Sequence, residues 1–407
     1  MLIGLDDTDS PLGMCTTYLG AVLARRLIRE RMQVREARLV RLNPNVTWKT
    51  RGNAAVMLDV FGDPARAFTL ACDLVEELAD QSCDNTNPGV VVTERTIGPA
   101  FYRKAVQDFC TVEEAVAALE AAGVRYCGWK NRRGLIGATA AVASELPDKT
   151  AEILVYREPA RFGTPREVDR QSLFDAEAAT FPNTWDTVDE ANEIVVCVPH
   201  TPDPVLFGIR GKSPQWVMAA RQMVRSEPPG IEQIWVTNQG TDAHLIDGSI
   251  GGLREGLSYR VCGTVAGCPK TGTGGHVSLV IGDDGNTARC MAYEPTKQFR
   301  DVVRQLVPGD RIIACGSYKK GSINLEKIGI VSLAREECVR PPLCTACNKR
   351  MTSDGKEKGW KCKKCGARAD VPDREEICRT LEPGWYEVPP TARRHLARPL
   401  CRGLPDY

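Results

Sequence analysis

No run of apolar residues in this sequence approaches the roughly 20 needed to cross a bilayer, which argues against an integral membrane protein. A basic stretch followed by a short apolar leader is missing too. The sequence starts directly in strand-like residues, so secretion is not expected. Excess charge of either sign is also absent. The net charge is +1, so the overall balance points neither toward nor away from nucleic acid. A basic surface must then come from local asymmetry, and the sequence beyond Glu337 does lean basic. The seventeen cysteines are an odd number scattered singly apart from one cluster, as reduced core thiols are, and the expected compartment is the cytoplasm. What is present is the composition of a globular chain, 43% hydrophobic and 26% charged over 407 residues. That is too long for one core and enough for about three or four domains.

The opening stretch, MLIGLDDTDSPLGMCTTYLG, stands out. Leu2, Ile3 and Leu5 read as a short buried strand that ends abruptly in Asp6, Asp7 and Asp9, with Thr8 between them. Three carboxylates so close repel one another unless a cation sits among them, and hard oxygen ligands suit Mg2+ held together with substrate phosphates. Pro11 and Gly13 then turn the chain, and a helix is expected from about Thr16 to Arg31. Its apolar stripe is Leu19, Val22, Leu23 and Leu27. The first turn of that helix offers free N–H groups and hydroxyls to the acidic loop, a natural phosphate seat. The competing reading makes the aspartates turn and cap residues, with Thr16 a helix cap.

Strands and helices then alternate in an α/β manner. Strands are expected at 38–42, 54–60 and 90–93, and helices at 64–78 and 113–122. The loop WKTRGN carries Lys49 and Arg51, suited to phosphate, and Gly52, which lets a ligand approach the backbone. It also reads as a solvated basic turn. The segment GWKNRRGLIGATAAVA runs from cations through glycines into a small-residue helix, which fits an anion or RNA backbone as well as tight packing. Further on, strands at 153–157, 194–198, 205–209 and 231–236 surround a helix at 216–224. Two of them end in polar loops holding Asp203 and Asp242. Each of these can receive a cationic substrate or serve an Asx-turn.

From Leu257 the pattern becomes all-β: three strands, a helix near 296–305, then two strands, the order of an OB-fold. Beyond it lie Cys344-x2-Cys347 and Cys362-x2-Cys365, fourteen residues apart. This is the spacing of a closed, structural four-thiolate Zn2+ ribbon. Lys349, Arg350, Lys356, Lys358, Lys361, Lys363 and Lys364 surround it as a possible phosphate-contacting knob. The Arg- and Pro-rich end, 386–407, is expected to form a short helix or arm.

Taken in order, LDDTDSPLGMCTT, WKTRGN, DNTNPGVV, RGLIGA, DPVLFGIRG, TNQGTDAHL, GGHVSLVI, the cysteine pairs and ARRHLARPL resemble the archaeal tRNA(Ile) 2-agmatinylcytidine synthetases over essentially the whole length. Departures are small: Ala54 follows the loop Asn where relatives usually have Gly, and the first knuckle reads CTACN. The resemblance implies a multi-domain α+β architecture. Its parts are a kinase-like α/β domain at 1–128, a ferredoxin-like domain at 129–254, an OB-fold β-barrel at 255–338, a zinc ribbon at 339–371 and an arm at 372–407. It implies an ATP-dependent ligase that phosphorylates the wobble cytidine of an isoleucine tRNA with a CAU anticodon at its C2 oxygen. ATP is consumed to AMP and agmatine replaces the oxygen, so that AUA is read as isoleucine. On this chain Asp6, Asp7 and Asp9 would hold Mg2+ and act as bases, and Thr16 matches the position phosphorylated in the family. Thr8, Lys49, Arg51, Gly52 and Asn53 would contact ATP, and Asp203, Arg210 and Asp242 agmatine. The alternative is a non-catalytic OB-fold and zinc-ribbon protein that binds single-stranded nucleic acid, which leaves the acidic loop without a task.

Overall fold

The computed structural model describes residues 1–50, 52–355 and 358–405, so the expectations for Arg51 and Lys356 lie outside the described residues. The chain is a multi-domain α+β protein. Its first part runs β1 (Leu2–Asp6), α1 (Thr16–Arg29), β2 (Gln33–Arg41), β3 (Ala54–Phe61), α2 (Pro64–Leu78), β4 (Gly89–Thr93), α3 (Pro99–Gln107), α4 (Val112–Ala122), β5 (Arg125–Gly128) and α5 (Gly134–Val142). Then follow β6 (Thr150–Arg157), α6 (Arg170–Thr180), β7 (Thr184–Trp185), β8 (Val188–Asp189), β9 (Ile194–Val195), β10 (Val205–Gly211), α7 (Pro214–Met223) and β11 (Pro229–Thr237).

Alternation along β1 explains its place. Ile3 and Leu5 face a core made with Leu19, Leu23 and Leu27 of α1 and Leu74 of α2. On the other side Gly4 meets α5, and Met57 and Val91 of the neighbouring strands join Ala138 and Leu119 of α5 and α4. A strand covered on both faces reads as continuous apolar sequence, as β4 (GVVVT) does. Helix α1 stops two residues before the expected end because Arg31 turns left-handed, at φ 63°, and Met32 N–H closes on the Leu27 carbonyl. Helix α4 carries a full capping box, Thr111 with Glu114, and a left-handed Gly123 at its end.

The two α/β stretches share one sheet of order β5-β4-β1-β3-β2-β11-β6-β10-β7. The join is a short parallel pairing, Val236 opposite Arg38 and Thr237 opposite Leu39. Asn238 extends it with its side chain, accepting from Arg41 N–H at 2.8 Å and donating to the Arg41 carbonyl at 2.9 Å. Helix α5, which opens the stretch 129–254, packs on β1, β3 and β4 rather than on the strands that follow it. Helices α3 and α6 were not among the sequence expectations. The strand expected at 194–198 pairs only over Ile194–Val195.

After β12 (Leu245–Asp247) comes a five-stranded barrel: β13 (Ser258–Thr271), β14 (Val277–Asp283), β15 (Asn286–Ala292), α8 (Phe299–Arg304), β16 (Arg311–Lys319) and β17 (Ser322–Ser332). It is closed by the β13–β16 pairing, and the strand–helix order matches the one read from sequence. The ribbon holds β18 (Glu337–Arg340), β19 (Thr352–Ser353), β20 (Trp360–Lys361), β21 (Arg368–Ala369) and β22 (Asp373–Glu376). Strand β23 (Gly384–Glu387) then pairs with β17, and the C-terminal arm passes between the sheet and the barrel. No helix among the described residues is long and apolar enough to cross a membrane.

Candidate active site

Strand β1 delivers its acidic end directly to the start of α1. Asp7 sits at φ 57°, which turns the loop sharply after Asp6. Cys15, not Thr16, is the N-cap: its Sγ accepts from Tyr18 N–H. Asp9 reaches across instead, and its Oδ1 accepts from Thr16 N–H at 2.5 Å and from the Thr16 hydroxyl at 3.1 Å. Thr8 lies beneath, fully buried, and its N–H and hydroxyl both donate to Thr16 Oγ1. Thr8 therefore holds the Thr16 hydroxyl rather than lining the cavity. The loop 84–89 backs this arrangement, with Asn87 N–H on the Asp7 carbonyl and Thr86 Oγ1 on the Asp9 carbonyl.

Charge at this end is unbalanced. Burial first, then the charges of Asp7 and Asp9, push the Asp6 carboxyl well above its usual range. Burial also raises Asp7 to about 6, against the pull of Arg133, which grips it with two bonds of 2.8 and 3.0 Å. Arg133 escaped the sequence reading as a partner because 126 residues separate it from Asp7.

The glycines of RGLIGA serve close packing. A Cβ at Gly134 would fall 2.3 Å from Gly89 N, and one at Gly137 would fall 1.8 Å from Asp6 Oδ2. Gly→Ala inside a helix is ordinarily stabilising by up to about 1 kcal/mol. At Gly137 the sign reverses: Gly137→Ala is expected to cost about 1–3 kcal/mol, read from denaturant unfolding, and to disturb Asp6. An unchanged midpoint would mean that the helix does not press on the aspartate.

Two cavities meet at Asp9 and Thr16. The first, about 290 Å3, is lined by Asp6, Asp7, Asp9, Thr16, Lys49, Gly52, Asn53 and Arg133, with Trp48 and Phe109 as its aromatic wall. Lys49 lies at its edge, where burial, Arg394 and Lys319 draw its ammonium down to about 8. Asn53 lines the cavity while its amide donates to the Asn43 carbonyl. The second cavity, about 270 Å3, lies on the other side of Thr16 and is lined by Glu152, Asp186, Asp203, Arg210, Arg41 and His395 among others. Asp203 holds its loop from within, accepting from Val205 N–H and from the Thr201 hydroxyl. Arg166 donates to the carbonyls of Pro199, Thr201, Asp203 and Val205, pinning the same loop.

Asp242, expected among the agmatine contacts, stands apart from Asp203 and Arg210. It lines neither cavity. Its carboxylate is held by Lys327 of the barrel at 2.6 Å and by Arg398 N–H at 2.7 Å. TNQGTDAHL is a junction: Gln239 reaches Glu152 and Arg41, and buried His244 lies 2.9 Å from Glu326. Against the cost of burial, His244, Arg394 and Lys327 hold Glu326 down to about 2. Polar side chains at a strand end serve an adjoining domain as readily as a ligand. Glu152, Asp186 and His395, which do line the second cavity, carried no local signal.

In the ribbon, one ligand atom from each of Cys344, Cys347, Cys362 and Cys365 lies within 4.8 Å of the others, as a tetrahedral zinc site requires. Arg350 of the expected basic knob is paired with Asp373 and Glu375, while Lys349, Lys358, Lys363 and Lys364 are exposed.

An acidic strand end facing a helix N-terminus between two cavities, in a chain that also carries a barrel and a four-thiolate ribbon, defines a multi-domain protein with one candidate active site at that strand end. Three family models match the chain: the TiaS TCKD domain over residues 2–66, the TiaS FLD domain over 132–244 and the TiaS C-terminal zinc ribbon domain over 341–381. The isoleucine-tRNA 2-agmatinylcytidine synthetase TiaS of Methanocorpusculum labreanum is 53% identical over all of this chain and 98% of its own length. Crystal structures of TiaS in complex with its isoleucine tRNA and ATP, and with that tRNA, AMPCPP and agmatine, superpose with TM-scores of 0.91 and 0.89 at 43% and 41% identity. Both cover 98% of this chain, and 97% and 96% of theirs. The chain belongs to the isoleucine-tRNA 2-agmatinylcytidine synthetase (TiaS) family.

Proposed function

We propose that this protein is an ATP-dependent ligase that places agmatine at C2 of the wobble cytidine of an isoleucine tRNA. The observation that carries the reading is the position of Thr16, whose hydroxyl bonds to Asp9 on the wall shared by both cavities. The first cavity takes ATP, with Lys49, Gly52 and Asn53 near its phosphates and Trp48 and Phe109 offering faces for a base. The second takes agmatine, a dication, against Glu152, Asp186 and Asp203, with Arg210 ordering these carboxylates through contacts of 3.3 and 3.5 Å to Glu152 and Asp186.

Asp6, Asp7 and Asp9 fit Mg2+: all three offer hard oxygen, and burial and mutual repulsion raise Asp6 and, despite its bonds to Arg133, Asp7, a strain that a cation would relieve. Held by these carboxylates, Mg2+ would supply charge neutralisation for the phosphates. Asp9 Oδ1, which accepts from the Thr16 hydroxyl at 3.1 Å, would take its proton. One phosphoryl group of ATP passes to the cytidine C2 oxygen as its P–O bond to the nucleotide breaks, and hydrolysis of the remainder gives AMP and orthophosphate; the phosphorylated C2 oxygen is then a leaving group. The amine of agmatine then forms the C2–N bond as the C2–O bond breaks onto phosphate. The target base must leave the anticodon stack, which costs less in a loop than in a duplex. We read 1–128 as the kinase-like part and 129–254 as the ferredoxin-like part of the site.

Incubation with ATP, agmatine and the CAU-anticodon isoleucine tRNA is expected to yield AMP and an anticodon nucleoside heavier by the agmatine increment; no mass change refutes the reading. The non-catalytic single-strand-binding alternative gives neither cavity a task. Removing zinc with a chelator is expected to unfold the ribbon and weaken tRNA binding with a smaller salt dependence, leaving binding of an ATP analogue intact. Unchanged tRNA affinity would make the ribbon purely structural.

A further inference from the structure

A third cavity, about 400 Å3, opens where the sheet, the barrel and the C-terminal arm meet. Its charged walls are Arg41 from β2, Lys49 from the loop after it, Lys319 from the end of β16, and Arg393 and Arg394 from the arm. No carboxylate stands among its described lining residues, in a chain whose 53 cationic and 52 acidic side chains nearly balance. Arg41 and Arg394 are answered from behind by Glu152 and Glu326, at 3.9 and 3.3 Å, and Arg393 by Glu387 at 2.8 Å. Among the described residues, neither Lys49 nor Lys319 has a carboxylate within ion-pair distance.

His395 adds a directional donor. Its Nδ1 lies 2.6 Å from Arg210 Nη2, and a guanidinium can only donate. The proton of the neutral ring therefore sits on Nε2, which lies 3.2 Å from where a Cβ would stand on Gly52. Burial and the neighbouring Arg41, Arg210 and Lys49 keep that ring neutral. The arm is fixed rigidly, with Gly240 N–H on the His395 carbonyl, Thr241 and Asp242 N–H on the Leu396 carbonyl, and Leu396 in the core.

We propose that this cavity is a phosphate site in which Lys49, Lys319, Arg394 and the His395 Nε2–H receive phosphate oxygens beside the nucleotide cavity. The proposal rests on the reading above that RNA and ATP are the substrates. The phosphate belongs either to the RNA backbone or to the nucleotide.

Lys319 is the residue to change, since it stands on the barrel away from Thr16 and the acidic loop. Affinities of the full-length protein for an isoleucine tRNA transcript, across a salt series, and for a non-hydrolysable ATP analogue without RNA separate the two sources. With RNA as the source, Lys319→Met lowers tRNA affinity about 5-fold, flattens the plot of log K against log salt by about one unit and spares the analogue. With the nucleotide as the source, analogue affinity falls instead. Lys319→Arg keeps both affinities, and thermal midpoints exclude misfolding. The proposal is overturned if Lys319→Met and His395→Phe both bind RNA and analogue as the wild type does. A wild type that forms no agmatine-bearing nucleoside would sink the functional reading while leaving these binding results to judge the phosphate site.

Discussion

Thr16→Ala is expected to lose transfer of labelled phosphate from ATP to the protein and agmatine incorporation into tRNA together, each by at least about 100-fold. The hydroxyl is the one that Asp9 and Thr8 jointly orient, and it stands on the wall common to both cavities. Loss of these bonds costs stability of only about 1–2 kcal/mol, so the variant stays folded and the effect is chemical. Thr16→Ser restores the hydroxyl and should recover both activities. Undiminished activity in the alanine variant would reduce Thr16 to a buried helix-start residue.

Asp7→Asn should cut ATP turnover by about 100-fold or more while tRNA binding persists. The substitution removes one of three crowded charges and leaves Arg133 without its bidentate partner. Two causes are separable by a double variant. If Asp7 only restrains Arg133, Asp7→Asn with Arg133→Met regains much of the rate, because neither a stray cation nor an unpaired acid remains. If Asp7 serves a metal-bound phosphate, the double variant stays as slow as the single one.

Much of this protein was legible from residues close together in sequence. The acidic strand end, the stripe of α1, the strand–helix order of the barrel and the four cysteines all announce themselves within short windows. Asp6, Asp7, Asp9 and Thr16, close in sequence, line one cavity. What was hidden depends on distant partners. Arg133 meets Asp7, His395 meets Arg210, and Asp186 enters the second cavity from a turn that has no motif. The single sheet was hidden for the same reason, since a parallel join of a few residues between β2 and β11 leaves no periodic trace. RGLIGA and TNQGTD look like ligand loops because glycine and amide residues are what close packing and domain junctions also need.

The central claim is that the acidic loop holds a metal–triphosphate against the Thr16 hydroxyl. Anomalous scattering from Mn2+ in crystals grown with a non-hydrolysable ATP analogue tests it most directly. The expected result is a peak among the carboxylates of Asp6, Asp7 and Asp9, with the triphosphate reaching toward Thr16. Manganese and phosphates found in another cavity, with those carboxylates unengaged, would contradict it.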